Sequence, residues 1–149
     1  MDFAAHRIAE HSEAFCLKHA LVCELKGHIA GMVLGYRLSS HGNTPALDGL
    51  CPTLRPESDL AGRRPGSFYL NTLALHPEER KQGLGTILLA AAERRARETG
   101  CSGIMLEVER SNIAAVRFYR RFGFGLWPGV FGAETGRAPF LVLEKHLTT

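Results

Sequence analysis

Seven consecutive residues carry the clearest chemistry in this chain: Arg80-Lys81-Gln82-Gly83-Leu84-Gly85-Thr86. They stand where an apolar strand pattern gives way to a helical one. A helix N-terminus presents unpaired backbone N–H groups and the positive end of the helix dipole, so it is a place where phosphates bind. Glycine lets an anion approach that backbone with no Cβ in the way, and Arg80 and Lys81 add positive charge. What the turn lacks narrows the ligand class. A P-loop needs G-x-x-x-x-G-K-[ST], and no lysine follows Gly85. A dinucleotide fingerprint needs a third glycine, but Leu88 stands three residues after Gly85. Glu107, an acidic residue about 20 positions further on, keeps an NAD-dependent oxidoreductase in view as a poor fit. On the glycines alone, a tight turn without a ligand also stays open.

Other constellations are silent. Cys16, Cys23, Cys51 and Cys101 are separated by 7, 28 and 50 positions. There is no C-x-x-C and no H-E-x-x-H, so neither zinc nor dithiol redox chemistry is indicated. The seven histidines are scattered, and no metal site is expected.

The elements that must hold the glycine turn can be read on both sides of it. Residues 67–75 form a near-continuous apolar strand ended by His76-Pro77. After the turn, Leu84, Ile87, Leu88, Ala91 and Ala92 fall on one face of a helix running to about Thr99. Glu93 and Arg97 make an exposed i, i+4 pair, and Gly100 supplies the C-terminal cap. Residues 104–109 are the next strand. Ser111 or Asn112 caps a helix to Phe122 that carries Ala115, Phe118, Tyr119 and Phe122 on one face, with Gly123 closing it. A strand–helix–strand connection of this length implies parallel pairing. Upstream lie a helix over 2–19 and a hairpin of strands 21–25 and 29–38 turning at Lys26-Gly27-His28. Downstream, 124–130 and 139–147 read as two antiparallel strands. The 39–66 connection holds Pro45, Pro52, Pro56 and Pro65 and is longer than ordinary connectors, so it is expected to line the acceptor site rather than the cofactor site, with a mobile surface excursion as the open alternative. The expected fold is α/β, a mixed sheet of about six strands with a central parallel pair, flanked by helices.

Composition bounds the answer. At 149 residues the chain is expected to be one domain, 1–149, large enough for a sizeable core. Apolar residues make up 45% and charged residues 22%, near the globular average, which excludes disordered and fibrous classes. No apolar run approaches the roughly 18–20 residues of a membrane span. The first residues do not read as a signal peptide, so a cytoplasmic location and no membrane partner are expected. The net charge of +3 is uneven: residues 1–79 hold 7 basic and 9 acidic side chains, 80–121 hold 9 and 4, and 122–149 hold 2 and 2. The basic middle segment suits an anionic partner or, equally, a solvated helix face. Nucleic acid is not expected, because the pI of 8.8 falls short of the value above about 9 usual for such domains.

Beyond the glycines, the chain resembles the GNAT N-acetyltransferase superfamily over about residues 68–124. Arg80-x-x-Gly83-x-Gly85 matches the family's Q/R-x-x-G-x-G/A signature. Leu73-Ala74-Leu75-His76-Pro77 precedes it like the family's fourth strand. Asn112-x-x-Ala115-x-x-Phe118-Tyr119-x-x-Phe122-Gly123-Phe124 follows it like the family's N-x-x-A-x-x-F/L-Y helix and G-F end.

The resemblance implies a sheet parted between two parallel strands with acetyl-CoA, as cosubstrate, in the gap, and direct acetyl transfer to a primary amine of a small molecule or protein. By the same resemblance, the amides around Gln82, Gly83, Leu84, Gly85 and Thr86 would hold the pyrophosphate, with Arg80 and Lys81 nearest the nucleotide phosphates. The main chain of Leu73, Ala74 and Leu75 would pair with the pantetheine arm, and Asn112 would bond its far end beside Ala115 and Phe118. Tyr119 would be the general acid. Where many members carry a glutamate base, this chain has Tyr69 and then Asn71; Glu24 and Glu107 are the carboxylate candidates. A non-catalytic acetyl-CoA-binding module therefore stays an alternative, and a homodimer is left open. The family's usual first strand has no counterpart before the 2–19 helix, so either it is absent or the reading frame begins late.

Overall fold

The computed structural model describes residues 19–38, 65–127 and 140–148. Residues 2–18 of the helix expected over 2–19, the question of a preceding strand, and residues 39–64 of the long connection lie outside them. Strands β1 (Ala20–Leu25) and β2 (His28–Arg37) form the expected hairpin. Its turn residues Lys26 and Gly27 both have positive φ, 50° and 80°, the geometry whose twist matches that of a two-residue hairpin. Strand β3 (Phe68–Leu75) runs antiparallel to β2, and β4 (Gly103–Glu109) runs parallel to β3. Helix α1 (Leu84–Glu98) connects that parallel pair, and α2 (Ile113–Arg121) follows β4. Strands β5 (Gly125–Leu126) and β6 (Phe140–His146) complete one six-stranded mixed sheet in the order β1-β2-β3-β4-β6-β5.

Alternation along the strands divides the core into two faces. Phe68, Leu70, Ile104, Leu106 and Leu143 pack against α1, Tyr119 and Phe124. Their sequence neighbours Tyr69, Met105 and Val142 join Tyr36 and Leu38 in a smaller cluster. Two glycines of β2 make room on the helix side. A Cβ at Gly35 would lie 2.3 Å from the Phe68 ring, and one at Gly31 would lie 2.5 Å from a Leu75 methyl.

Three expectations need correction. The buried row of α1 is Leu84, Leu88, Leu89, Ala92 and Ala96, while Ile87 and Ala91 are half-buried. The helix lies across the sheet rolled about its axis from the orientation expected. The expected i, i+4 pair of Glu93 and Arg97 is present, but Glu93 is half-buried rather than exposed. That contact is a loose 3.8 Å, and the half-buried Glu93 carboxylate binds Lys145 Nζ of β6 at 2.5 Å. The strand expected over 124–130 is reduced to Gly125 and Leu126 within the described residues. Phe124 instead turns into the core, 3% exposed, with its amide donating to the Tyr119 carbonyl at 3.1 Å. A residue that closes a helix in this way is not free to extend a ladder.

Candidate functional site

The site is set by how β3 is paired. Toward β2 it is bonded along its whole length, from Phe68↔Arg37 to Leu75↔Gly31. Toward β4 it is paired only at Phe68↔Ile104 and Tyr69↔Met105. Beyond Tyr69 the two parallel strands part, and β4 stays bonded to β6 through Glu109↔Phe140. From Leu70 to Leu75, β3 thus has one strand edge without a strand partner among the described residues. Such an edge can accept an extended ligand through main-chain hydrogen bonds.

A bulge lies at the parting. The register passes from Leu34↔Thr72 to Gly35↔Leu70, which leaves Asn71 as the extra residue. The bulge resets the alternation, so Leu73 and Leu75 face the same side as Phe68 and Leu70. The Asn71 side-chain oxygen accepts from the Thr72 hydroxyl at 2.8 Å.

The glycine turn stands at the open end. Pro77–Glu79 form one 3-10 turn, and the chain then enters α1 through two left-handed residues, Lys81 with φ 61° and Gly83 with φ 84°. Gly83 is the N-cap and gives no side-chain cap to the helix. The amides of Leu84, Gly85 and Thr86 therefore have no carbonyl one turn back within α1. Leu84 offers its backbone alone, since its side chain is 2% exposed in the core. Arg80, Lys81, Gln82 and Thr86 are exposed. A Cβ at Gly85 would sit 3.5 Å from the Phe118 ring and 3.6 Å from a Leu75 methyl. The end of β3, the first turn of α1 and the face of α2 therefore meet, bringing together Leu75, Gly85 and Phe118. Ala115 is half-buried on that same helix.

Asn112 sits at the head of α2 as its N-cap, with Oδ1 accepting from the Ala115 amide at 3.2 Å. Its oxygen is committed to the helix, and its amide N–H groups remain as donors. Tyr119 is on the core side of α2, 8% exposed, packed edge-on against Phe118 and Phe124. Desolvation pushes its hydroxyl up to about 12, so it holds its proton across the working range. Of the two carboxylate candidates, Glu24 lies on β1, at the far edge of the sheet. Glu107 lies on β4 two residues past Met105, the last residue paired with β3. Its charge, together with burial, raises the hydroxyl of Tyr36 above the ordinary tyrosine value, burial being the larger cause. Tyr69, where a base was sought, is instead buried beside Tyr36 with ring centroids 5.6 Å apart.

Sequence reading missed two residues that shape the turn. Glu79 Oε1 is 2.9 Å from His28 Nε2, and its Oε2 accepts from Gln82 Nε2 at 3.3 Å. Glu79 and Gln82 are three apart and could have been paired on paper, but His28 lies 51 positions away in the β1–β2 turn. Among the described residues there is no metal-binding cluster, and no helix is long and apolar enough to cross a membrane. Cys23 and Cys101 are free thiols, both buried; Cys16 and Cys51 lie outside the described residues.

The model of the acetyltransferase (GNAT) family matches residues 2–124. Acetyltransferase Atu2258 of Agrobacterium fabrum is 31% identical over 116 residues, 74% of this chain and 82% of the relative. A mycothiol acetyltransferase of Thermobispora bispora is 42% identical over 62 residues, 42% of this chain. The chain spans about a fifth of the length of the mycothiol acetyltransferases it matches. Among solved structures, a Bacillus anthracis protein in complex with acetyl coenzyme A superposes with a TM-score of 0.62 at 21% identity. That superposition covers 87% of this chain and 62% of the other, and it is a likeness of fold.

Proposed function

The chain belongs to the GNAT acetyltransferase family, and on that premise we propose that it is an N-acetyltransferase moving an acetyl group from acetyl-CoA directly to a primary amine. The observation that carries the reading is the parting of β3 from β4 after Tyr69, beside a helix start with uncommitted amides. An extended arm fits the strand edge, and a pyrophosphate fits the helix start. When bound, acetyl-CoA would supply a thioester-activated acetyl group.

The residues of the chain then divide the work. The amides of Gly83 to Thr86 bind phosphate, with Arg80 and Lys81 as the nearest cations. The main chain of Leu73, Ala74 and Leu75 orients the arm, Asn112 donates to it through its remaining N–H groups, and Ala115 and Phe118 wall the gap. Main-chain N–H groups at the Asn71 bulge stabilise developing charge on a carbonyl oxygen. The Tyr119 hydroxyl, protonated at working pH, donates to the departing sulfur. Glu107, beside the parting, takes the proton of the amine. In this reading residues 1–149 act as one catalytic domain in the cytoplasm, with acetyl-CoA and the amine as partners and neither nucleic acid nor membrane involved.

The test is acetyl transfer to a panel of amines, with thermal-shift titrations alongside. Acetyl-CoA is expected to raise the melting temperature, with about 2.7 kcal/mol of stabilisation at a hundredfold excess over its dissociation constant. Binding with no transfer to any amine would favour the binding-module alternative. A shift with NAD and none with CoA would remove the assignment.

A further inference from the structure

The Arg80–Gly83 turn is an unusual shape for its sequence to hold. Lys81 takes a left-handed backbone at φ 61°, which costs a side-chain-bearing residue about 1–2 kcal/mol, so something outside the turn must hold it there. Gln82, although exposed, is tied back onto the turn. Its Nε2 folds back to donate to the Glu78 carbonyl at 3.1 Å and to Glu79 Oε2 at 3.3 Å. The other oxygen of Glu79 is 2.9 Å from His28 Nε2, in the first residue of β2. One carboxylate, its side chain 16% exposed, thus ties the β1–β2 turn to the phosphate-side turn through side chains. A second tie runs parallel to it. Ala30 is the extra residue where the β1–β2 register slips, and its carbonyl accepts the His76 amide at 2.9 Å. Cys23 lies under the same corner, where burial first and the Glu79 charge second hold its thiol neutral.

We infer that Glu79 is a positioning residue for acetyl-CoA, a strut between His28 and Gln82 that fixes the phosphate-binding turn on the β1–β2 hairpin. A bare carboxylate this close to a phosphate site would repel the ligand. Here both of its oxygens are engaged by donors, His28 and Gln82, so its contribution to the turn's shape outweighs its charge. The inference rests on the acetyl-CoA reading above.

The experiment is calorimetric titration of the full chain with acetyl-CoA, paired with steady-state KM and kcat. Wild type is measured first. Failure of wild type to bind acetyl-CoA would bring down the underlying reading, and this inference with it. Given binding, Glu79→Ala is expected to weaken affinity and raise the acetyl-CoA KM about fivefold with kcat nearly unchanged, the scale of a partly exposed charged hydrogen bond. His28→Ala should do the same more weakly, and His28→Gln, which restores an N–H donor, should recover most of the loss. His28 and Gln82 do not touch, yet their alanine substitutions should be non-additive in affinity, and that coupling should vanish in a Glu79→Ala background. Unchanged affinity in Glu79→Ala, additive losses, or tighter binding in Glu79→Gln would each overturn the inference. Should Glu79→Ala fail to fold, the His28 pair of variants decides it alone.

Discussion

The two edges of β3 are built from the same eight residues and do opposite things. The edge toward β2 is closed along its length, and Gly31 and Gly35 are there to let Leu75 and Phe68 fold across the ladder. The edge toward β4 is closed for two residues and then abandoned. The difference lies in what the neighbour prefers: β4 is bonded along all seven residues to β6, so it follows β6 when β3 turns away. Strand pairing is concentrated on one edge of β3, and the other is the edge proposed for the ligand, so a rigid element presents a backbone without a strand partner among the described residues.

The largest expected effect breaks the closed edge. Gly35→Ala places a Cβ 2.3 Å from the Phe68 ring and 2.8 Å from the Tyr69 carbonyl. Forced repacking of this kind costs about 1–3 kcal/mol or more, here expected at the upper end. A fall in the urea midpoint is the readout, and an unchanged midpoint would mean the two strands are less tightly apposed than described.

Chemistry at the open edge comes next. Tyr119→Phe keeps the ring packing against Phe118 and Phe124 and removes the hydroxyl. Turnover should fall about a hundredfold, the low end for a positioned acid, with acetyl-CoA affinity nearly unchanged. Turnover within about twofold of wild type would leave Tyr119 a packing residue. Because the folded state raises this hydroxyl from 10.0 to about 12, wild type should also lose stability relative to the variant as pH rises from 10 toward 12. Below pH 10 the difference should be constant.

At the helix start, Gly85→Ala and Gly85→Val separate shape from identity. The alanine Cβ makes ordinary contact with Phe118 and Leu75, so binding should stay near wild type. The valine methyls crowd the same gap, and affinity for acetyl-CoA should fall about tenfold, a loss of about 1.4 kcal/mol. Equal behaviour of the two variants would place the phosphates elsewhere. The smallest effect is Lys81→Gly, which relieves a left-handed backbone while adding unfolded-state freedom. Stability should rise by about 0.5 kcal/mol in a thermal melt, and acetyl-CoA affinity should drop two- to threefold at low salt with the lost charge, about 0.5 kcal/mol.

The local parts of this design were legible in the sequence. Period, glycines and caps placed β3, α1, β4 and α2 because each signal lies within a few residues of the element it marks. The parallel pair followed from connection length alone. The parting of β3 from β4 was not legible from residue patterns and came through family resemblance, since it depends on which strands prefer each other. The Asn71 bulge is faintly visible as Leu70 and Leu73 on one face at a spacing of three, but it needs Gly35 and Leu34 to define it. Lys145 at Glu93 and His28 at Glu79 join residues 52 and 51 positions apart, and no local rule connects them. Asn112 was read as a ligand residue beside its capping role, and its oxygen proved to be spent on the cap.

The most direct test of the open edge is amide hydrogen exchange with and without acetyl-CoA. Exchange within residues 70–75 and at Gly85 and Thr86 should slow markedly on binding, while the β1–β2 ladder, already bonded, should change little. Protection confined to other segments, or none at saturating acetyl-CoA, would contradict the account that the abandoned edge of β3 is where the cosubstrate lies.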